Sequence, residues 1–249
     1  MGGVPPPVRL VLVHGSIFSA AQWWGYAERL GPDIELVTPD LPGHGARRAE
    51  TFTWDGALAS VAAAVADGAP GQRVVVAGHS LGGYVAAGYA AAAPDQVSGL
   101  GLLGATAEPR GFGAAAYRGL ARLYGGWGPD RAGRLVERQL TRLGVDPPVV
   151  EAMVHAGLAP DAVDAAWRAV MEHGGARLVD GQRGPVLLAA GQYDQLRIGM
   201  RRFGDVARRT AYPVREVVVP KALHAFPMTH PGATVDALSW LGAATMEAL

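Results

Sequence analysis

The chain of 249 residues contains no cysteine, and Lys221 is its one lysine among 22 basic residues. The absence of cysteine excludes disulfides, thiolate metal ligands and a cysteine nucleophile. Acidic and basic residues balance at 22 each, so no net positive charge favours nucleic acid or an anionic membrane surface. No apolar run reaches the roughly 18 residues of a membrane span, and residues 1–7 show no secretory signal. We therefore expect a cytoplasmic protein without nucleic-acid or membrane partners.

Short, unbroken apolar runs alternate with helical stretches along most of the chain. Strands are predicted over residues 9–13, 35–38, 73–77, 97–103, 186–190 and 215–219. Unbroken hydrophobicity is typical of strands covered on both faces, as in a parallel sheet. Helices are predicted over residues 21–30, 54–66, 84–93, 197–209 and 234–246. This alternation predicts βαβ units and a doubly wound, mostly parallel α/β fold.

The alternation stops between residues 107 and 183. No strand is predicted there, whereas helices are predicted over residues 114–123, 130–143, 148–156 and 160–173. An all-helical insertion between two strands of a sheet is typical of a lid. We expect a core formed by residues 1–106 and 184–249, with a helical lid over residues 107–183.

Residues 78–82, with the sequence Gly-His-Ser-Leu-Gly, lie between a predicted strand and a predicted helix. A Gly-x-Ser-x-Gly pentapeptide in that position is typical of a nucleophile elbow. Glycine is needed beside the serine because a Cβ there would strike the strand or the helix. Ser80 is therefore the predicted nucleophile, and the alternative is a serine that only shapes a turn.

A serine hydroxyl reacts only when a base takes its proton and a further group orients that base. Asp194 and His224 each follow directly after a predicted strand, so the carboxyl edge of a parallel sheet should bring them to Ser80. Glu108, after the preceding strand, is the alternative acid, and His230 is the alternative base. Asp194 could also serve only as a helix cap.

Taken together, these motifs resemble those of the α/β-hydrolase family. The matching segments are Leu-Val-His-Gly-Ser at 12–16, Asp-Leu-Pro-Gly-His-Gly at 40–45, the Ser80 elbow, the acid turn at 191–194 and the His224 loop. They follow the order of the family between residues 8 and 231. Two features depart from it: the chain before Val8 is too short for two leading antiparallel strands, and Leu223 stands where glycine often precedes the histidine. The resemblance therefore implies a reduced sheet.

The resemblance also implies an oxyanion hole built from the backbone N–H groups of Ser16 and Leu81. Leu81 would begin a helix, where amides are free and the dipole favours a negative oxygen. His14 would lie beneath the oxyanion loop in a structural role. A serine mechanism of this kind needs no cofactor, and no His, Asp or Glu group has the spacing of a metal site.

Apolar residues near the predicted catalytic loops are candidates for the wall of the substrate site. They are Trp23, Trp24, Tyr193 and Phe226 from the core, and Tyr117, Leu123 and Trp127 from the lid. We expect a serine hydrolase that cleaves an ester, thioester or lactone of a small hydrophobic substrate through an acyl-enzyme. The alternatives are acyl transfer, carbon–carbon bond hydrolysis or a biosynthetic cyclisation by the same triad, and a catalytically silent ligand-binding protein.

Overall fold

The computed structural model of the protein describes residues 6–109 and 129–248. A single parallel sheet contains the strands β1 (Val8–Val13), β2 (Ile34–Val37), β3 (Val74–His79), β4 (Gly99–Leu103), β5 (Val186–Gly191) and β6 (Val214–Val219). Their order across the sheet is β2-β1-β3-β4-β5-β6, and each neighbouring pair is parallel. The predicted α/β class and parallel sheet are confirmed, with strand ends within two residues of those expected.

Helices cover both faces of the sheet. In chain order they are α1 (Tyr26–Leu30), α2 (Trp54–Ala66), α3 (Leu81–Ala92), α4 (Pro129–Arg142), α5 (Pro147–Ala156), α6 (Val163–His173), α7 (Met200–Ala207), α8 (Phe226–Thr229) and α9 (Pro231–Glu247). The described helices include none long and apolar enough to cross a membrane.

The sheet divides the hydrophobic core in two. Successive side chains of a strand point to opposite faces. On β1, Val11 and Val13 therefore pack with α2, α3, α6 and α7, whereas Leu10 and Leu12 pack with α1 and α9. Burial on both faces explains why the four central strands, β1, β3, β4 and β5, are apolar at successive positions rather than at alternate ones.

Two predicted helices are interrupted in the structure. The helix expected over residues 21–30 consists of a 3-10 turn, Ala20–Trp23, followed by α1. The break falls at Gly25, whose φ of 75° is left-handed and cannot continue a right-handed helix. The helix expected over residues 197–209 likewise begins as the 3-10 segment Gln195–Gly199 and becomes α-helical in α7.

Between β4 and β5, the regular elements that the structure describes are all helices or 3-10 turns. Helices α4 and α5 share a small apolar cluster of Val136, Leu140, Val145, Val150, Met153 and Met228. Helix α6 instead joins the larger core through Val163, Trp167 and Val170. The helix predicted over residues 114–123 lies outside the described residues.

Alanine at two helical glycines should change stability in opposite directions. Alanine is favoured over glycine in a helix by up to about 1 kcal/mol. A Cβ on Gly133 of α4 would meet nothing closer than Leu158 Cδ1 at 4.0 Å, so Gly133→Ala should raise the free energy of unfolding by up to that amount. A Cβ on Gly88 of α3 would lie 2.4 Å from Cζ2 of Trp54, so Gly88→Ala should lower it by about 1–3 kcal/mol.

Urea denaturation of both variants and the parent protein measures these differences. Equal stability of Gly88→Ala and the parent would contradict the close packing of α3 against the Trp54 ring.

Candidate active site

Ser80 lies in the sharp turn from β3 to α3. Its φ of 53° and ψ of −118° are strained for a residue with a side chain, at a cost of about 1–3 kcal/mol. A Cβ on Gly78 would lie 2.3 Å from the Gly82 carbonyl carbon, and one on Gly82 would lie 2.3 Å from the Val13 carbonyl oxygen. The Ser80 N–H donates to the Leu103 carbonyl at 2.8 Å. Contacts with β1 and β4 thus fix Ser80 at the carboxyl edge of the sheet.

The turn that contains Ser80 lies where the order of the strands in the sheet reverses. Strand β2 lies on one side of β1 and β3 on the other, so the loops after β1 and β3 diverge from a common crevice. In open α/β sheets, ligands bind at this point, beyond the carboxyl ends of the strands. Gly15 and Ser16 follow β1, Ser80 follows β3, and all three line the same cavity.

Asp194 and His224 lie side by side in the loops after β5 and β6. The His224 Nδ1 atom is 3.0 Å from each carboxylate oxygen of Asp194, which also accepts the Leu196 N–H at 2.8 Å. Burial raises the pKa of Asp194, but the hydrogen bond and charge of His224 together with the Leu196 amide outweigh it, so the pKa lies below its usual value. An ionised Asp194 holds the histidine proton on Nδ1 and leaves Nε2 able to accept a proton.

The alternative acid and base lie elsewhere. The Glu108 carboxylate accepts the Ala176 N–H at 3.1 Å and pairs with Arg202 Nε at 3.2 Å. His230 precedes α9, and its Nδ1 lies 2.9 Å from Thr229 Oγ1. Asp194 does cap the 3-10 segment that follows it, through the same Leu196 hydrogen bond. The Asp194 carboxylate therefore both caps this segment and contacts His224.

Gly104 provides the space in which the carboxylate and the imidazole meet. Its φ of 60° is left-handed, and a Cβ there would lie 2.8 Å from Asp194 Oδ2 and 3.1 Å from His224 Nδ1. This glycine was not among the residues predicted for the site. Its position directly after β4 places it at the carboxyl edge of the sheet, but the local sequence does not show that Asp194 and His224 pack against it.

The loop after β1 is held by buried imidazoles. His14 Nδ1 donates to the Gly15 carbonyl at 2.9 Å, and its Nε2 accepts the Leu41 N–H at 3.1 Å. The N–H of Ser16 belongs to the same trans peptide as the Gly15 carbonyl, so it points away from His14. His44 Nε2 lies 2.8 Å from the Ser16 carbonyl oxygen. Two successive peptide groups of the predicted oxyanion loop are thereby oriented.

A cavity of about 350 Å³ connects these groups. Ser16, Ser80 and His224 line it from the sheet side. The apolar part of its wall includes Phe18, Val136, Leu140, Val163, Trp167 and Met228. Histidines aside, none of the described residues that line it is ionisable, although Gln139 and Gln195 add polar groups. The cavity therefore suits a neutral, mainly apolar group next to Ser80.

The four aromatic core residues expected in this wall do not line the cavity. Trp23 is buried in the cluster beneath the sheet, where its ring meets Tyr26 edge-on. Phe226 is buried in the same cluster. Trp24 and Tyr193 are each 60% exposed. Proximity in sequence to a catalytic loop did not reveal which way these side chains turn.

Much of the apolar wall comes instead from α4 and α6. Val136 and Leu140 recur at helical spacing on α4, as Val163 and Trp167 do on α6, and Leu143 directly follows α4. The sequence contained this periodicity, but periodicity does not show what a helix face covers. Tyr117, Leu123 and Trp127, also expected in the wall, lie outside the described residues. The described part of the chain holds no cluster of three or more His, Asp or Glu residues suited to a metal ion.

Comparisons with known proteins point to one family. The model of the alpha/beta hydrolase family matches residues 10–237. The chain is 43% identical over 102 residues to lipase LipV of Mycobacterium tuberculosis, covering 41% of this chain and 38% of that protein. It is 31% identical over 246 residues to the pimeloyl-[acyl-carrier protein] methyl ester esterase of Neisseria meningitidis, covering 91% of each.

The matching segments differ in extent. The chain matches less than two fifths of the length of LipV and of the pimeloyl-[acyl-carrier protein] methyl ester esterase of Nitrosomonas europaea, at 38% and 37%. Among solved structures, a thermophilic esterase from Thermogutta terrifontis superposes with a TM-score of 0.73 and 24% identity, covering 97% of this chain and 92% of that one. This last similarity concerns the fold.

Two buried histidines should make the stability of the protein depend on pH. Burial, together with His44 near His14 and His224 near His79, lowers the pKa of both imidazoles from 6.5 to about 3. The folded protein then binds fewer protons than the unfolded chain between these values. The stability that each contributes is fully present above pH 6.5 and is lost as the pH falls to about 3.

Between pH 6.5 and about 3, each of these histidines should add about 1.4 kcal/mol per pH unit to the fall in the free energy of unfolding. His14→Gln should therefore reduce the slope by that amount, as measured by urea denaturation at several pH values. His155→Gln removes an exposed imidazole on α5 and is the control. An unchanged slope in His14→Gln would mean that the buried ring is not kept neutral by the fold.

Proposed function

The chain belongs to the alpha/beta hydrolase family, and we propose that it is an esterase in which Ser80, His224 and Asp194 form the catalytic triad. The observation that carries this proposal is the pair of 3.0 Å contacts between His224 Nδ1 and the buried Asp194 carboxylate. His224 and Ser80 line the same cavity. The similarity to proteins named as a lipase and as methyl ester esterases supports it.

The first half of the reaction forms an acyl-enzyme. His224 Nε2 takes the proton of the Ser80 hydroxyl while Oγ attacks the carbonyl carbon of the ester. The carbonyl oxygen becomes negative and is stabilised by the N–H groups of Ser16 and Leu81, each worth about 3–4 kcal/mol in the transition state. Asp194 stabilises the imidazolium form of His224. When the tetrahedral intermediate collapses, His224 gives its proton to the leaving alkoxide and an alcohol departs.

The second half releases the acid. His224 takes a proton from a water molecule, whose oxygen attacks the acyl carbon and forms a second tetrahedral intermediate at the same N–H groups. Collapse of this intermediate breaks the bond to Ser80 Oγ, and the His224 proton returns to that oxygen. The enzyme leaves the cycle in its starting state with one ester and one water consumed.

The substrate we propose is an ester, thioester or lactone with an apolar acyl group. The apolar cavity wall beside Ser80 supports this choice, because a charged acyl group would lose its hydration there without a partner of opposite charge. We further propose that residues 107–183 act as a lid. Support for the lid comes from α4 and α6, which contribute Leu140 and Trp167 to the wall of the cavity that contains Ser80.

The triad is tested by three substitutions. Ser80→Ala should lower kcat by several orders of magnitude and abolish covalent labelling by a serine-reactive phosphonate. Asp194→Asn should lower kcat by roughly 10⁴, because the amide favours the wrong histidine tautomer. Glu108→Gln makes the same acid-to-amide change away from the cavity, so it should have little effect on kcat.

Retention of more than about a tenth of the parent activity by Ser80→Ala would contradict the covalent mechanism. A larger loss in Glu108→Gln than in Asp194→Asn would assign the acid to Glu108. Labelling of Ser80 without turnover of any ester would favour acyl transfer or cyclisation by the same triad.

The substrate class is tested by p-nitrophenyl esters of increasing acyl length. Each buried CH₂ contributes up to about 0.8 kcal/mol, so kcat/KM should rise over the first carbons and then fall where the cavity is full. Trp167→Ala enlarges the cavity and should move the optimum to longer chains, whereas Trp24→Ala, outside the cavity, should leave it unchanged. A flat profile, or a preference for charged acyl groups, would contradict the apolar substrate.

A further inference from the structure

Gln22 and His79 are buried polar residues for which the mechanism above gives no role. Each side chain is only 1% exposed. Burying a polar group without a hydrogen-bond partner is costly, so such groups are almost always paired. The partners of this pair lie on two different loops of the candidate active site.

The hydrogen bonds run from the loop after β1 to the loop after β6. The Gly15 N–H donates to Gln22 Oε1 at 2.8 Å, and Gln22 Nε2 lies 3.0 Å from His79 Nδ1. His79 Nε2 lies 3.0 Å from the His224 carbonyl oxygen. An amide nitrogen can only donate, so His79 Nδ1 accepts from Gln22 and the ring proton on Nε2 is donated to His224. The direction of each hydrogen bond is therefore fixed.

His79 suits this role because it remains neutral. The titratable groups around it are His14, Asp194 and His224, and its ring lies 4.8 Å from that of His224. Burial, followed by the charge of His224, lowers the pKa of His79 to about 3. A neutral ring can accept on one nitrogen and donate on the other, as these hydrogen bonds require.

We propose that Gln22 and His79 form a buried bridge that holds the loop of Gly15 and Ser16 at a fixed position relative to the backbone of His224. This proposal rests on the proposed function, in which Ser16 supplies an oxyanion donor and His224 the base. Gln22 and His79 are then positioning residues for the reaction at Ser80. They align the groups that take up negative charge and a proton in the transition state.

Gln22→Met tests the bridge with a side chain of similar length that neither accepts from Gly15 nor donates to His79. The matched control is Gln182→Met, since Gln182 is also buried and its amide donates to the Leu178 carbonyl, with no contact to the cavity. For p-nitrophenyl butyrate, Gln22→Met should lower kcat by about 10- to 100-fold with KM changed less than about threefold. Gln182→Met should lower the Tm and leave kcat within about twofold.

A second pair of variants separates the two halves of the bridge. In His79→Gln the amide nitrogen can reach the position of Nε2 and still donate to the His224 carbonyl. In His79→Asn the shorter amide reaches only the position of Nδ1, so the contact with His224 is lost. We expect His79→Gln to retain at least about fivefold more kcat than His79→Asn, a difference that a general loss of stability would not produce.

Phosphonylation of Ser80 provides a readout that does not depend on the choice of ester. If Gln22→Met and the Gln182→Met control react with the phosphonate at equal rates, the bridge is overturned while the proposed function stands. If the parent hydrolyses no ester but Gln22→Met is labelled at least about tenfold more slowly than the control, the bridge stands and the esterase proposal fails. Equal kcat in His79→Gln and His79→Asn would also overturn the bridge.

Discussion

The structure depends on how closely glycine backbones approach at the turn between β3 and α3. Gly82 lies against the carbonyl oxygens of Val13 and His14, and Gly83 lies against Ala105, with no room for a Cβ at either position. These contacts bring the first turn of α3 onto the ends of β1 and β4. They also maintain the positive φ of Ser80, which the local sequence would not adopt without surrounding packing.

The fold and the placement of Asp194 and His224 could be predicted because they follow from pattern and chain order. Unbroken apolar strands imply a sheet covered on both faces, and the carboxyl ends of parallel strands meet at one edge. The residues that line the cavity could not be predicted from pattern and chain order. Trp23 and Phe226 turn into the core beneath the sheet, whereas Trp167, on a distant helix, reaches the cavity. Side-chain direction depends on tertiary contacts that no local pattern contains.

Histidine serves this protein in two ways that the sequence alone does not separate. His224 is partly exposed and contacts the Asp194 carboxylate at the cavity that contains Ser80. His14 and His79 are buried and use both ring nitrogens: His14 contacts two main-chain groups, whereas His79 contacts the Gln22 side-chain amide and the His224 carbonyl. A neutral imidazole is rigid and both donates and accepts, which makes it a suitable connector between two backbones in an apolar interior.

The chain between β4 and β5, which includes α4, α5 and α6, leaves and rejoins the sheet at neighbouring strands. Closing a loop costs only about 0.6 kcal/mol more when its length doubles, so residues can be added or removed there at little cost to the sheet. Gly104 directly follows β4 and Asp194 follows the carboxyl end of β5, so the strands position the two residues that meet at His224. Insertions and deletions in this segment can therefore vary the wall that α4 and α6 contribute to the cavity while the contact of Asp194 with His224 is left unchanged.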